Sequence, residues 1–127
     1  MSFVKIFQKV REDCARYSPR PPTEPTEIPQ ISFRWLVRSI GETGRVRFIV
    51  QKQHVNENIG CTHIDVMNIE DGLVVFIPFD SYRVLKRKIA DFLRRDRLDS
   101  TEGLILTARK SRAFGMVEWM VESPPQD

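Results

Sequence analysis

The chain has 127 residues, of which 41% are hydrophobic, so it has material for one core and not for two. A formal charge of +3 is mildly basic and names no partner by itself. Two cysteines, Cys14 and Cys61, make neither a disulfide framework nor a metal-ligand spacing, and no apolar run approaches the roughly 18 residues of a membrane span.

The opening "MSFVKIFQKVREDCARY", residues 1–17, reads as an amphipathic helix with Ser2 as its N-cap. Phe3, Ile6, Phe7, Val10, Cys14 and Tyr17 form its apolar stripe, which must fold back on the domain or dock on a partner protein. Residues 18–30 hold five prolines, which preclude helix and central strand and predict a semi-extended linker. Lys5, Lys9, Arg11 and Arg16 faintly resemble a mitochondrial presequence, but Glu12 and Asp13 oppose it. The expected setting is reduced and intracellular, nuclear or cytoplasmic.

Residues 32–39 alternate, with Phe33, Trp35 and Val37 on one side and Arg34, Leu36 and Arg38 on the other. This predicts a strand. "IGETG" turns the chain, and a return strand places Val46, Phe48 and Val50 on one face and Arg45, Arg47, Ile49, Gln51 and Gln53 on the other. The expected hairpin is amphipathic, with an arginine field on its wet face. After a polar loop, "CTHIDVMNI" and "LVVFI" predict two more strands separated by "EDG". Asp80 is a candidate N-cap for a helix over residues 81–95. Tyr82, Leu85, Ile89, Phe92 and Leu93 would be its buried stripe, and Arg83, Lys86, Arg87, Arg94 and Arg95 its outer cations. "GLILTA" and "FGMVEWMVE" predict a C-terminal hairpin within residues 98–122, and residues 123–127 a disordered tail.

Charge is uneven along the chain. Residues 34–52 carry five cations against Glu42, and residues 83–97 carry seven against Asp91 and Asp96. Residues 53–81 carry five acids and no Lys or Arg. Chemistry-bearing motifs are sparse. No phosphate-binding glycine loop appears, and neither His54 nor His63 sits in a nucleophile-base pattern. His63 and Asp65 on one strand face read as a local polar contact. Cys61 beside His63 supplies only two of the four ligands a structural zinc site needs. Nothing in the sequence argues for an enzyme, a metal or a cofactor.

"FRWLVRSIGETGRVRFIVQKQ" followed by "GLVVFIPFDSYRVLKRKIADFLRR" resembles the purine-rich-element-binding (PUR) repeat. The match lies at Phe33, Val37, Arg38, Gly44, Arg45, Phe48 and Ile49, then Tyr82 to Leu93, within residues 31–97. The segment "VFIPFDSYRVLKRKI" is also similar to the strand-to-helix join of the positive-cofactor coactivator family, which belongs to the same whirly-like group. The resemblance implies an α+β fold, a four-stranded antiparallel sheet followed by a helix (ββββα), flanked by the N-terminal helix and the C-terminal hairpin. Because one clear repeat is present, it further implies a homodimer in which two copies complete the fold.

The expected function is non-enzymatic binding of single-stranded DNA or RNA. Arg34, Arg38, Arg45 and Arg47 would engage phosphates or bases, assisted by Gln51 and Lys52. The competing expectation is a protein-interaction module on the same scaffold, with Phe3, Ile6, Phe7 and Val10 as its contact stripe.

Overall fold

A computed structural model describes residues 27–112 and 117–124. The elements run α1 (Phe33–Thr43), β1 (Arg45–Asn56), β2 (Gly60–Asn68), β3 (Val74–Pro78), α2 (Arg83–Asp96), β4 (Ile105–Lys110) and β5 (Val117–Glu122). The five strands form one antiparallel sheet in the order β3-β2-β1-β4-β5. The fold is therefore α+β, but it differs from the expected four-strand plan in two places.

The first difference is α1, which occupies the segment expected as the first strand. Eight residues of alternation fit a strand, but the same residues also place Trp35, Leu36, Ser39 and Ile40 on one side of a helix. Local capping favours the helix. Ser32 is extended (φ −90°, ψ 119°), and its Oγ accepts the Trp35 N–H at 3.2 Å. At the other end Gly44 adopts φ 89° and donates its N–H to the Ile40 carbonyl at 2.8 Å, the left-handed stop that glycine permits. Packing then completes the case: Leu36 and Ile40 are buried, whereas Arg34, Val37 and Arg38 face out.

The second difference is the C-terminal hairpin. It is no appendage, because β4 pairs along β1 from Arg45↔Arg109 to Ile49↔Ile105 and β5 extends the sheet beyond it. Two backbone bonds stitch the lead-in to β4 onto β1: the Val50 N–H to the Leu104 carbonyl (2.9 Å) and the Gly103 N–H to the Val50 carbonyl (2.8 Å).

The parity of β1 matches the sequence pattern, with Val46, Phe48 and Val50 buried. A register shift between Val50 and Lys52 leaves Gln51 as the extra residue of a bulge. Beyond it Gln53 turns inward, where its Oε1 accepts both the N–H (3.0 Å) and the hydroxyl (2.9 Å) of buried Thr101.

Phe48 is fully buried and lies 6.4 Å from the Trp35 ring of α1 and 6.3 Å from the Trp119 ring of β5. Tyr82 meets Trp119 edge-on at 6.1 Å, and Lys88 donates to the Trp119 carbonyl at 2.6 Å, docking α2 over β5. The buried stripe of α2 is Leu85, Ile89 and Phe92, as its periodicity predicts. Asp80 does not cap this helix. A turn after Pro78, closed by the N–H groups of Ser81 and Tyr82, delays the start to Arg83. Along the outer edge of β3, Ile31 and Pro29 exchange backbone bonds with Phe76 at 2.9 Å each, which covers part of an otherwise open edge. Among the described residues, no helix is long and apolar enough to cross a membrane.

Candidate functional site

Both helices pack on one face of the sheet, and no described element packs on the other. That open face is set by the strand registers. At one end Arg45, Arg109 and Glu118 form a row, with Arg109 Nε 3.2 Å from Glu118 Oε2. The next row is Arg47, Thr107 and Met120. A half-buried apolar row follows: Val74, Met67, Ile49 and Ile105. Then come Phe76, Asp65 and Lys52, and finally Pro78, His63 and His54. The face thus carries cations at both ends of an apolar centre. An antiparallel sheet tolerates one wet face, but such faces usually alternate to polar residues.

Arg47 adds a specific tension. Its Nε is buried and has no hydrogen-bond partner among the described residues. A guanidinium donor without an acceptor is costly.

The arginines expected to form one field do not share a surface. Arg45 and Arg47 lie on the open face, with Lys52 farther along it and Gln51 exposed in the bulge. Arg34 and Arg38 are exposed on α1, on the opposite side of the sheet. The helix at 33–43 separates them, since a strand would have placed all four together. Phe3, Ile6, Phe7 and Val10 lie outside the described residues.

A histidine cluster that sequence spacing concealed occupies the far end of the open face. His54 and His63 are cross-strand partners, and their rings stack at 4.1 Å with 7° between planes. Asp65, 6% exposed, places Oδ2 2.8 Å from His54 Nε2. The Thr62 hydroxyl donates to the His54 carbonyl (3.3 Å) and so receives the Nδ1–H of His63 (2.8 Å). Burial, reinforced by His54, pushes the His63 pKa down, and Asp65 offsets this in part. The Cys61 thiol donates to the His63 carbonyl at 3.6 Å, and burial raises its pKa. In the sequence His54 and His63 are nine residues apart; only the hairpin register brings them together.

A second basic surface lies on α2. Arg83, Arg87, Ala90 and Arg94 follow one helical stripe, and Phe79, Asp80, Arg83, Lys86, Arg87 and Ala90 line a shallow depression of about 450 Å³. Arg94 pairs with Asp91 at 2.6 Å, and Arg95 lies over the Phe92 ring at 5.1 Å. Among the described residues Arg83, Lys86 and Arg87 have no carboxylate partner.

Compared with known proteins, the chain matches no family model, no curated protein and no solved structure. Its class is therefore stated at the level of the fold: an α+β protein with a five-stranded antiparallel sheet and both described helices on one face.

Proposed function

We propose that this protein binds single-stranded DNA or RNA on the open face of its sheet. The observation that carries the reading is the placement of Arg45, Arg47 and Lys52 around half-exposed Ile49, Met67 and Phe76 on a face that no described element covers. Single strands are held by cations on phosphates and by apolar or planar groups against bases, and this face offers both within one layer. The guanidinium of Arg47 would donate to a phosphate or base oxygen. Arg34 and Arg38 leave the proposed site, and Gln51 stays as an exposed neighbour. One chain supplies all five strands, so the proposed surface does not require a second copy.

The test is a titration of labelled single- and double-stranded oligonucleotides at two salt concentrations. Replacing Arg45, Arg47 and Lys52 together by alanine should weaken single-strand binding and flatten its salt dependence. Replacing Arg83, Lys86 and Arg87 instead should leave it largely intact. If the helix triple abolishes binding while the sheet triple spares it, the basic stripe of α2 is the polyanion surface and the sheet-face reading is wrong.

A protein-interaction role is the second reading. Phe33 and Val37 favour it, 56% and 44% exposed on one side of α1. A partner captured through them would be lost in the double serine variant without any change in oligonucleotide affinity.

A further inference from the structure

We propose that His54, His63 and Asp65 form a binding site for a first-row transition dication, with zinc as the expected physiological ion. One ligand atom from each residue lies within 4.8 Å of the other two, and all three residues stand on the same sheet face. Imidazole nitrogen and carboxylate oxygen are the donor set that suits zinc, copper and nickel better than calcium or magnesium.

Two of the three donors are nearly in place, and the His63 ring, stacked parallel to that of His54, must tilt toward the ion. His54 Nε2 and Asp65 Oδ2 are 2.8 Å apart and share a proton between them. Tetrahedral zinc with bonds of about 2.0–2.2 Å holds two such ligands about 3.3 Å apart, so an ion replacing the shared proton requires an opening of about 0.5 Å. His63 has its other nitrogen already occupied, because Nδ1 is held by the Thr62 hydroxyl at 2.8 Å. That bond leaves Nε2 with the lone pair and supplies the outer hydrogen bond that metal-bound histidines usually have. Thr62 donates in turn to the His54 carbonyl at 3.3 Å, so one hydroxyl ties the His63 ring to the His54 backbone.

The backbone also favours a built site. Two register shifts in the β1–β2 ladder, at Val50/Lys52 and at His54/Val55, bracket His54. Such irregularities re-aim side chains and recur next to functional sites. Asp65 is the most buried of the three and stands between Lys52 of β1 and Phe76 of β3. Three protein ligands leave a fourth position for water on the open side of the sheet, the arrangement of an open rather than a closed zinc site. Cys61 is not part of the set, since its thiol is directed to the His63 carbonyl. The proposal uses none of the residues assigned to nucleic-acid binding and stands without that reading.

The test uses the full chain, free of any affinity tag and stripped with EDTA, titrated calorimetrically with zinc chloride and spectroscopically with cobalt(II). One equivalent should bind at micromolar metal, and cobalt should give the intense visible bands of a four-coordinate site. Asp65→Asn keeps a hydrogen bond to His54 and so preserves the apo fold, which circular dichroism would check. It and His63→Gln should each weaken zinc binding by at least about tenfold, the loss that even an outer-partner mutation can bring. Cys61→Ser should bind as the parent does. Absence of saturable binding at micromolar metal overturns the proposal, as does unchanged affinity in both the Asp65→Asn and His63→Gln variants.

Discussion

His54 and His63 lie ring to ring across the hairpin of β1 and β2, with centroids 4.1 Å apart and planes 7° from parallel. Burial lowers the His63 pKa, and the nearby His54 lowers it further, with Asp65 opposing both. A folded value below the ordinary 6.5 means that the unfolded chain binds more protons over that window. Stability is then intact above 6.5 and is lost as the pH falls below it through the folded value. Urea titrations of metal-free protein at successive pH values should show the midpoint dropping with acid, and His63→Gln should remove part of that slope. An identical slope in the variant would detach His63 from the acid response.

Leu36 distinguishes the helix at 33–43 from a strand. A strand would set Leu36 on the same side as Arg34 and Arg38, whereas in α1 it is fully buried. Leu36→Ala should therefore cost about 2–5 kcal/mol, the range for large-to-small changes in a core. Equilibrium denaturation would measure it, and a loss under about 0.5 kcal/mol, as expected of a surface site, would contradict the packing.

The ends of α1 make a separate prediction. Ser32→Ala removes the acceptor for the Trp35 N–H and should cost about 1 kcal/mol. Gly44 sits at φ 89°, where a Cβ is strained although no neighbouring atom would meet it. Gly44→Ala should therefore destabilise by about 1 kcal/mol through backbone conformation alone. The two changes lie at opposite ends of the helix, more than a turn apart, and should add in a double variant.

Gln53 ties the inner side of β1 to the loop before β4. Gln53→Leu would strand the buried Thr101 N–H and hydroxyl, with a cost of about 1–3 kcal/mol. Hydrogen exchange should show the loss first at Thr101 and at its neighbours Gly103 and Leu104, whose backbone bonds hold β4 to β1.

For the proposed nucleic-acid face, the salt dependence is the sharper measure. Each phosphate contact on a single strand contributes a slope of about 0.7 in log affinity against log salt. Arg45→Ala combined with Lys52→Ala should lower the slope by about 1.4 if each side chain meets one phosphate. Competition binding over a range of salt would check it; a slope unchanged from the parent would remove both residues from the interface.

Local pattern alone was enough for several elements, and the reason is short range in each. Val46, Phe48 and Val50 alternate over a stretch long enough to declare a strand, and they are buried as expected. Leu85, Ile89 and Phe92 repeat at helical spacing over two turns, and they form the inner side of α2. Residues 32–39 were too few for periodicity to separate strand from helix. The Ser32 cap and the Gly44 stop, both visible in the chain, were the signals that could have decided the matter.

Tertiary structure decided the rest, because strand neighbours and shared surfaces depend on long-range pairing. The insertion of β4 beside β1 made the sheet five-stranded, and burial of Leu36 and Ile40 against it held residues 33–43 helical. That helix carried Arg34 and Arg38 away from Arg45 and Arg47. Hairpin register, which a one-residue slip would invert, brought His54, His63 and Asp65 onto one face. Residue types and their local periodicity were inherent in the chain; which of them meet was settled only by the packing of distant segments.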